Sequence, residues 1–137
     1  MTTNNGKILL FFGTCHSLLA ISPFAFGKQF AAFSSQFFFK ISEGLFEFPL
    51  LQGQMNYENF AAFWFFYYGL LLLPLGILVK HLEDTNQALP KTFLQAYCII
   101  VLLGVFMIPF SGMTFLMLPH ALYMLYQNKK ASKSALQ

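Results

Sequence analysis

The 137-residue chain is 57% hydrophobic and 19% aromatic, and charged residues make up only 9% of it. Soluble domains carry about 25% charged residues, and a soluble protein of this size has too little interior to bury nineteen phenylalanines. The composition therefore excludes an ordinary soluble domain and predicts an integral membrane protein. The net charge of +3 is small and the few basic residues cluster at one predicted rim, which argues against nucleic-acid binding.

The apolar runs predict membrane-spanning helices rather than barrel strands. GLLLLPLGILV (69–79) and CIIVLLGVFMIPF (98–110) are continuously apolar, whereas a barrel strand alternates apolar and polar residues. Helices also satisfy their own backbone hydrogen bonds in lipid. We therefore predict an all-α fold, a four-helix transmembrane bundle that forms a single domain over 1–137. The four spans are predicted at about 8–24, 60–79, 92–108 and 113–126.

The connection between the first two spans predicts an extra helix. Between about 29 and 48, apolar residues recur at three- and four-residue steps, with Gln36, Lys40, Glu43 and Glu47 on the opposite stripe. A fifth crossing span is disfavoured, because each charge at a span centre costs about 2.5 to 3.5 kcal/mol. We predict instead an amphipathic helix that lies in the membrane interface.

The later connections are short. KHLEDTNQALPK (80–91) joins the second and third spans, and Pro90 suits the start of a helix. The turn at 109–112 is tight, which predicts that the third and fourth spans are antiparallel neighbours. From Gln127 the chain is polar and basic, so the last helix is expected to fray there.

The lysines predict the orientation in the membrane. With four spans, both termini and the 80–91 loop lie on one side, which holds six of the eight lysines, and the other side holds Lys28 and Lys40. By the positive-inside rule, both termini are predicted to be cytoplasmic. The six lysines are Lys7, Lys80, Lys91, Lys129, Lys130 and Lys133.

Two histidines lie within predicted spans. His16 follows Lys7 by nine residues and His120 precedes Lys129 by nine, so both are predicted about 13 Å inward from the same membrane edge. An ionisable residue in lipid is a functional candidate. Two histidines at one depth suit a haem iron, a transition metal or a quinone oxygen. Structural packing through a hydrogen bond to a neighbouring helix is the competing interpretation.

Further candidate ligand-binding residues lie near these histidines or along the second span. Thr14 neighbours His16, and Ser111 lies in the tight turn. The aromatic run that contains Trp64, Tyr67 and Tyr68 is typical of an interfacial belt and also offers a flat wall to a lipid-like or polycyclic ligand. The two cysteines and the methionines of the last spans are expected to pack as apolar side chains, so no metal site is predicted from them.

Three short motifs together resemble a known family. They are Gly13-x-x-His16, Ala62-Phe-Trp-Phe-x-x-x-Gly69 and Pro109-x-Ser-Gly112. They resemble an uncharacterised family of small bacterial four-helix membrane proteins, a domain of unknown function, over about 8–126. The resemblance implies a four-span protein of the bacterial inner membrane and makes His16 and the turn at Ser111 features of interest. It implies no activity.

Three function classes stay open. The first is a binding or accessory protein for a lipophilic small molecule such as a quinone, for membrane lipid, or for a membrane partner. The second is a haem or transition-metal carrier that uses His16 and His120. The third is an intramembrane enzyme on a lipid-like substrate with His16 as acid or base. The cofactor is accordingly haem, quinone or none, the protein partner is a second copy or a partner subunit, and no nucleic acid is expected. The first class is preferred because it requires only features that the sequence contains.

Overall fold

The computed structural model describes residues 3–37, 50–51, 54–55 and 57–134. Two two-residue strands, β1 (Leu50–Leu51) and β2 (Gln54–Met55), pair antiparallel. Apart from this short pair, the regular structure of the described chain is helical, and the predicted all-α class is confirmed. The helices are α1 (Asn5–Ile21), α2 (Gly27–Phe37), α3 (Tyr57–Asp84), α4 (Lys91–Met107), a π-helical turn (Met113–Met117) and α5 (Leu118–Ser134).

The helices overlie the predicted segments but end at different residues. α3 extends on both sides of the predicted 60–79, and α5 continues to Ser134 instead of fraying after Gln127. The extension of α5, 127–134, consists largely of Gln, Lys and Ala, and the extension of α3 at its end includes Lys80, Leu82 and Glu83. These residue types favour helix whether or not they lie in lipid. The predicted interfacial helix at about 29–48 coincides with α2 over its first part, and 38–48 lies outside the described residues.

One helix of the described chain is long and apolar enough to cross a membrane. This helix is α3, which has 28 residues, whereas α1 and α4 are apolar over shorter lengths of 17 residues each. At 1.5 Å per residue, α3 is about 42 Å long. Length and composition thus identify α3 as the candidate span among the described residues.

The chain divides into two compact units. The aromatic unit is Leu9–Leu75, and the terminal unit combines Met1–Ile8 with Gly76–Gln137. The first contains most of α1, all of α2 and the first two thirds of α3. The second contains the beginning of α1, the end of α3, and α4 and α5.

In the aromatic unit, α1 and α3 approach closely at two glycines. A Cβ on Gly13 would lie 2.8 Å from the Gly69 carbonyl oxygen, and a Cβ on Gly69 would lie 2.8 Å from the Ser17 backbone nitrogen. Small residues permit this close approach of two helix backbones. The Ser17 hydroxyl donates to the Phe66 carbonyl oxygen at 3.4 Å, which adds a polar link across the same contact.

Helix α2 packs on α3 through phenylalanine pairs. A turn at 22–26, closed by a 2.9 Å bond from the Gly27 N–H to the Ser22 carbonyl, leads from α1 into α2. The ring centroids of Phe30 and Phe66 are 4.8 Å apart, and those of Phe33 and Phe63 are 4.9 Å apart. These separations are typical of favourable aromatic pairs, so the rings hold α2 against the first half of α3.

In the terminal unit, α3 ends at a left-handed asparagine. Asn86 has φ 55°, and the Gln87 N–H bonds to the Leu82 carbonyl at 2.8 Å. This is the usual hydrogen-bond pattern of a helix C-terminus whose cap tolerates positive φ. Helix α4 then begins directly after Pro90, as the sequence predicts.

The predicted neighbours α4 and α5 pack against each other in the terminal unit. Their buried side chains include Leu94, Val101, Ala121 and Met124. The π-helical turn at Met113–Met117 lies directly before Leu118 and Pro119. Since proline donates no N–H, the helix loses a bond to the carbonyl four residues back, and irregular winding at this position follows from the sequence.

Candidate functional site

His16 lies on α1 in the aromatic unit and is held by aromatic rings of α3. Its imidazole stacks on Phe65 with centroids 3.8 Å apart and planes 26° apart. It meets Tyr68 edge-on at 5.3 Å and 68°. The ring also interacts electrostatically with the Phe65 backbone. The glycine contact between α1 and α3 brings the helices close enough for these contacts, and they leave the histidine half-buried.

The other predicted aromatic residues lie beside this histidine site on α3. The Trp64 and Tyr67 rings are 6.1 Å apart, and both also pair with Phe63, at 5.3 and 5.6 Å. Trp64 is 53% exposed, Tyr67 41% and Tyr68 36%. Of the three, Tyr68 therefore contacts the histidine directly, and the other two extend an exposed aromatic surface along the same helix.

Thr14 is an exposed residue of α1 in the same unit. Its position two residues before His16 places it about 200° around the helix from that histidine. Ser17, which follows His16, is the polar residue that contacts α3 instead. The prediction of Thr14 as a ligand-binding residue stays a prediction.

His120 lies on α5 in the terminal unit and is buried against α4. Its Nδ1 is 2.9 Å from the Tyr97 hydroxyl, and the two rings meet edge-on with centroids 5.7 Å apart. The same hydroxyl lies 4.0 Å from the Met117 sulfur. His120 is 4% exposed and Tyr97 7%, so this hydrogen bond is shielded from solvent and contributes more than an exposed one.

A carboxylate completes the polar surroundings of His120. Glu83, near the end of α3, accepts hydrogen bonds from the Asn5 backbone N–H at 2.9 Å, the Asn5 side-chain amide at 2.8 Å and the Gly6 N–H at 3.1 Å. These N–H groups belong to the first turn of α1, where helical N–H groups lack internal partners and a negative charge is favoured. His120 interacts electrostatically with both Glu83 and the Asn5 backbone.

The sequence interpretation missed Asn5, Phe65, Glu83 and Tyr97. Apart from Thr92 in the first turn, Tyr97 is the one residue of α4 with a hydroxyl group. A hydroxyl in so apolar a helix indicates a polar partner on a neighbouring helix, so the sequence could have identified Tyr97. The sequence gives no comparable indication for Glu83, because it lies in the polar segment 80–91, which is predicted to be a connection. Its partners, Asn5 and Gly6, are 78 and 77 residues away.

Ser111 lies in the connection between α4 and the π-helical turn. Its carbonyl accepts the N–H groups of Thr114 and Phe115 at 3.1 and 3.3 Å, so it begins the irregular turn. His16 and His120 belong to different units with different neighbours, and their action on one ligand stays a prediction. Among the described residues, no three His, Cys, Asp or Glu side chains form a group that suits a metal ion.

The fold and these sites define a small all-helical protein with two separate histidine environments. Residues 2–131 match DUF6463, a family of unknown function, and the chain belongs to that family. The predicted relation to an uncharacterised family is thereby confirmed. No curated protein and no solved structure matches the chain.

Proposed function

We propose that the protein is an integral membrane protein of the bacterial inner membrane whose four spans are α1, α3, α4 and the π-helical turn with α5. The observation that supports this is the exposure of large apolar side chains. Ile99, Ile100, Leu102 and Leu103 of α4 are each between 55% and 58% exposed. Such a continuous apolar surface is unfavourable in water and suits lipid. The 17 residues of α1 and of α4 reach the lower length limit of about 17 residues for a span.

Fluorescence quenching by lipid tests the membrane proposal. Trp64 is the single tryptophan of the chain, so its emission reports one position. In vesicles of phosphatidylcholine brominated on the acyl chains, we expect strong quenching of Trp64 relative to unbrominated lipid. The matched control moves the tryptophan to the exposed Gln87 after α3, as Trp64→Phe with Gln87→Trp. Equal quenching at the two positions, or none at Trp64, would refute the proposal.

A fusion reporter tests the proposed orientation. The lysine distribution supports a cytoplasmic location of both termini by the positive-inside rule. A reporter fused after Gln137 should therefore be active only in the cytoplasm. Reporter activity confined to the external compartment would overturn the proposed orientation. It would not decide whether the protein lies in the membrane, which the quenching experiment tests.

Within the membrane, we infer that the protein binds a lipophilic small molecule at His16. The observation that carries this is the half-buried imidazole, held face-on by Phe65 and edge-on by Tyr68 beside exposed aromatic rings. Flat apolar walls with a few polar groups are the usual composition of small-molecule sites. An imidazole donates or accepts a hydrogen bond. The ligand that fits is therefore a flat conjugated ring with a carbonyl or hydroxyl group, the chemistry of a quinone.

A titration with a short-chain benzoquinone, followed by Trp64 emission, tests this site. We expect saturable quenching in the wild-type protein. His16→Phe keeps a flat ring but removes both nitrogens, and the loss of one hydrogen bond of about 1 kcal/mol weakens binding roughly fivefold. His81→Phe, an exposed histidine on α3, is the matched control and should bind like the wild type. Linear, unsaturable quenching that is identical in all three proteins would exclude the site.

A further inference from the structure

The described part of the terminal unit is strongly basic. It contains six lysines, Lys7, Lys80, Lys91, Lys129, Lys130 and Lys133, against two acidic residues, Glu83 and Asp84. The described part of the aromatic unit, by contrast, has one lysine, Lys28, and one acid, Glu58. The excess positive charge is therefore a property of one unit.

Both acids of the terminal unit are engaged. The two carboxylate oxygens of Glu83 accept hydrogen bonds from the first turn of α1, and Asp84 forms an ion pair with Lys80. Lys7, Lys91 and Lys129 are exposed, and none of them pairs with an acid among the residues that the structure describes. Within the described residues, no acidic side chain compensates their charge.

Two of these lysines, Lys91 and Lys129, lie towards one end of the terminal unit. The contact between Tyr97 and His120 fixes the register of α4 against α5. From that contact, Lys91 lies six residues towards the start of α4 and Lys129 nine residues towards the end of α5, in the same direction because the two helices are antiparallel. Lys7 follows Asn5, whose backbone interacts with His120, so Lys7 lies level with the contact between Tyr97 and His120 and does not belong to this end.

We propose that this end of the terminal unit binds the headgroup of an anionic phospholipid. The proposal rests on the membrane proposal above and adds a partner to it. Lysines at a membrane edge attract anionic headgroups with about 1 kcal/mol each, and long lysine side chains reach the headgroup zone from slightly different depths along their apolar stems. A lipid fits this end better than a soluble anion, because the same helices carry the exposed apolar side chains.

Lipid-dependent thermal unfolding in detergent tests the proposal. The purified full chain is titrated with phosphatidylglycerol, with phosphatidylcholine and with inorganic phosphate. We expect phosphatidylglycerol to raise the Tm more than the other two. Lys91→Gln and Lys129→Gln should each weaken the apparent affinity for phosphatidylglycerol roughly fivefold. Lys28→Gln, in the aromatic unit, is the matched control, and its apparent affinity for phosphatidylglycerol should equal that of the wild type.

Equal stabilisation by the two lipids, stabilisation by phosphate alone, or an equal loss in Lys28→Gln would overturn the proposal. If a variant fails to fold, the salt dependence of the wild-type protein decides. At about 0.5 M NaCl the exposed charges are screened, so a phosphatidylglycerol preference that persists there is not electrostatic and overturns the proposal. Trp64 quenching in phosphatidylcholine alone tests membrane insertion separately, so failure of insertion is distinguished from failure of lipid selectivity.

Discussion

The close contact of α1 and α3 predicts that alanine at Gly69 destabilises the protein. A Cβ at this position would lie 2.8 Å from the Ser17 backbone nitrogen and 2.9 Å from the Gly13 carbonyl oxygen, and it would also meet the Ser17 hydroxyl. The hydroxyl is able to rotate away, but the two backbone atoms are not. The helices must therefore separate by several tenths of an ångström, which weakens the packing between them.

Two opposing contributions set the size of the stability loss in Gly69→Ala. Alanine in a helix interior gains about 1 kcal/mol over glycine, whereas overfilling a packed site costs about 1–3 kcal/mol. Because the clash is with backbone on both sides, the upper part of that range applies, and the net loss is about 1–2 kcal/mol. For a chain of this length, the Tm should fall by roughly 3–8 °C.

Thermal unfolding in detergent, followed by circular dichroism, measures this loss. Gly112→Ala is the matched control, since a Cβ at Gly112 would meet nothing within 4 Å, and it should unfold at or above the wild-type temperature. Removing the hydroxyl as well, in Ser17→Ala with Gly69→Ala, should not restore stability because the backbone contacts remain. A Gly69→Ala protein as stable as the wild type would show that α1 and α3 do not approach in this way.

The same measurement tests the polar contacts of the terminal unit. Tyr97→Phe removes the hydroxyl that meets His120 and should cost about 1–3 kcal/mol, since the partner is buried; an unchanged Tm would contradict the contact. Glu83→Gln loses the charge that accepts three N–H groups and should cost about 1.5–3 kcal/mol. Asp84→Asn breaks only the exposed pair with Lys80 and should cost less than about 1 kcal/mol. Equal losses in the last two variants would show that Glu83 does not hold α1.

The helices were predictable because their signals are local. Continuous apolar runs, Pro90 before α4 and the tight turn before the π-helical segment act through neighbouring residues. Helix ends were less predictable, because the apolar run defines the stretch that suits lipid and not the stretch that is helical. Helix α5 illustrates this, since its polar last turns remain helical to Ser134.

The contacts that build the histidine environments were not predictable in the same way. Glu83 and Asn5 are 78 residues apart, and no periodicity of either segment indicates their partner. Tyr97 and His120 are 23 residues apart across a predicted helical hairpin. The tight turn therefore limits which residues of the two helices can contact each other. The irregular π-helical turn shifts the register by an amount that the sequence pattern does not reveal.

His16 and His120 are predicted at the same membrane depth, but the structure buries them to different extents. His120 is 4% exposed, and its Nδ1 already meets Tyr97, so replacing this side chain leaves buried polar groups without a partner. His16 is half-buried, and ring stacking fixes its plane without using its full hydrogen-bonding capacity. Folding should therefore depend chiefly on His120 and ligand binding chiefly on His16. A His120→Phe protein with wild-type stability, or a His16→Phe protein that fails to fold, would reverse this assignment.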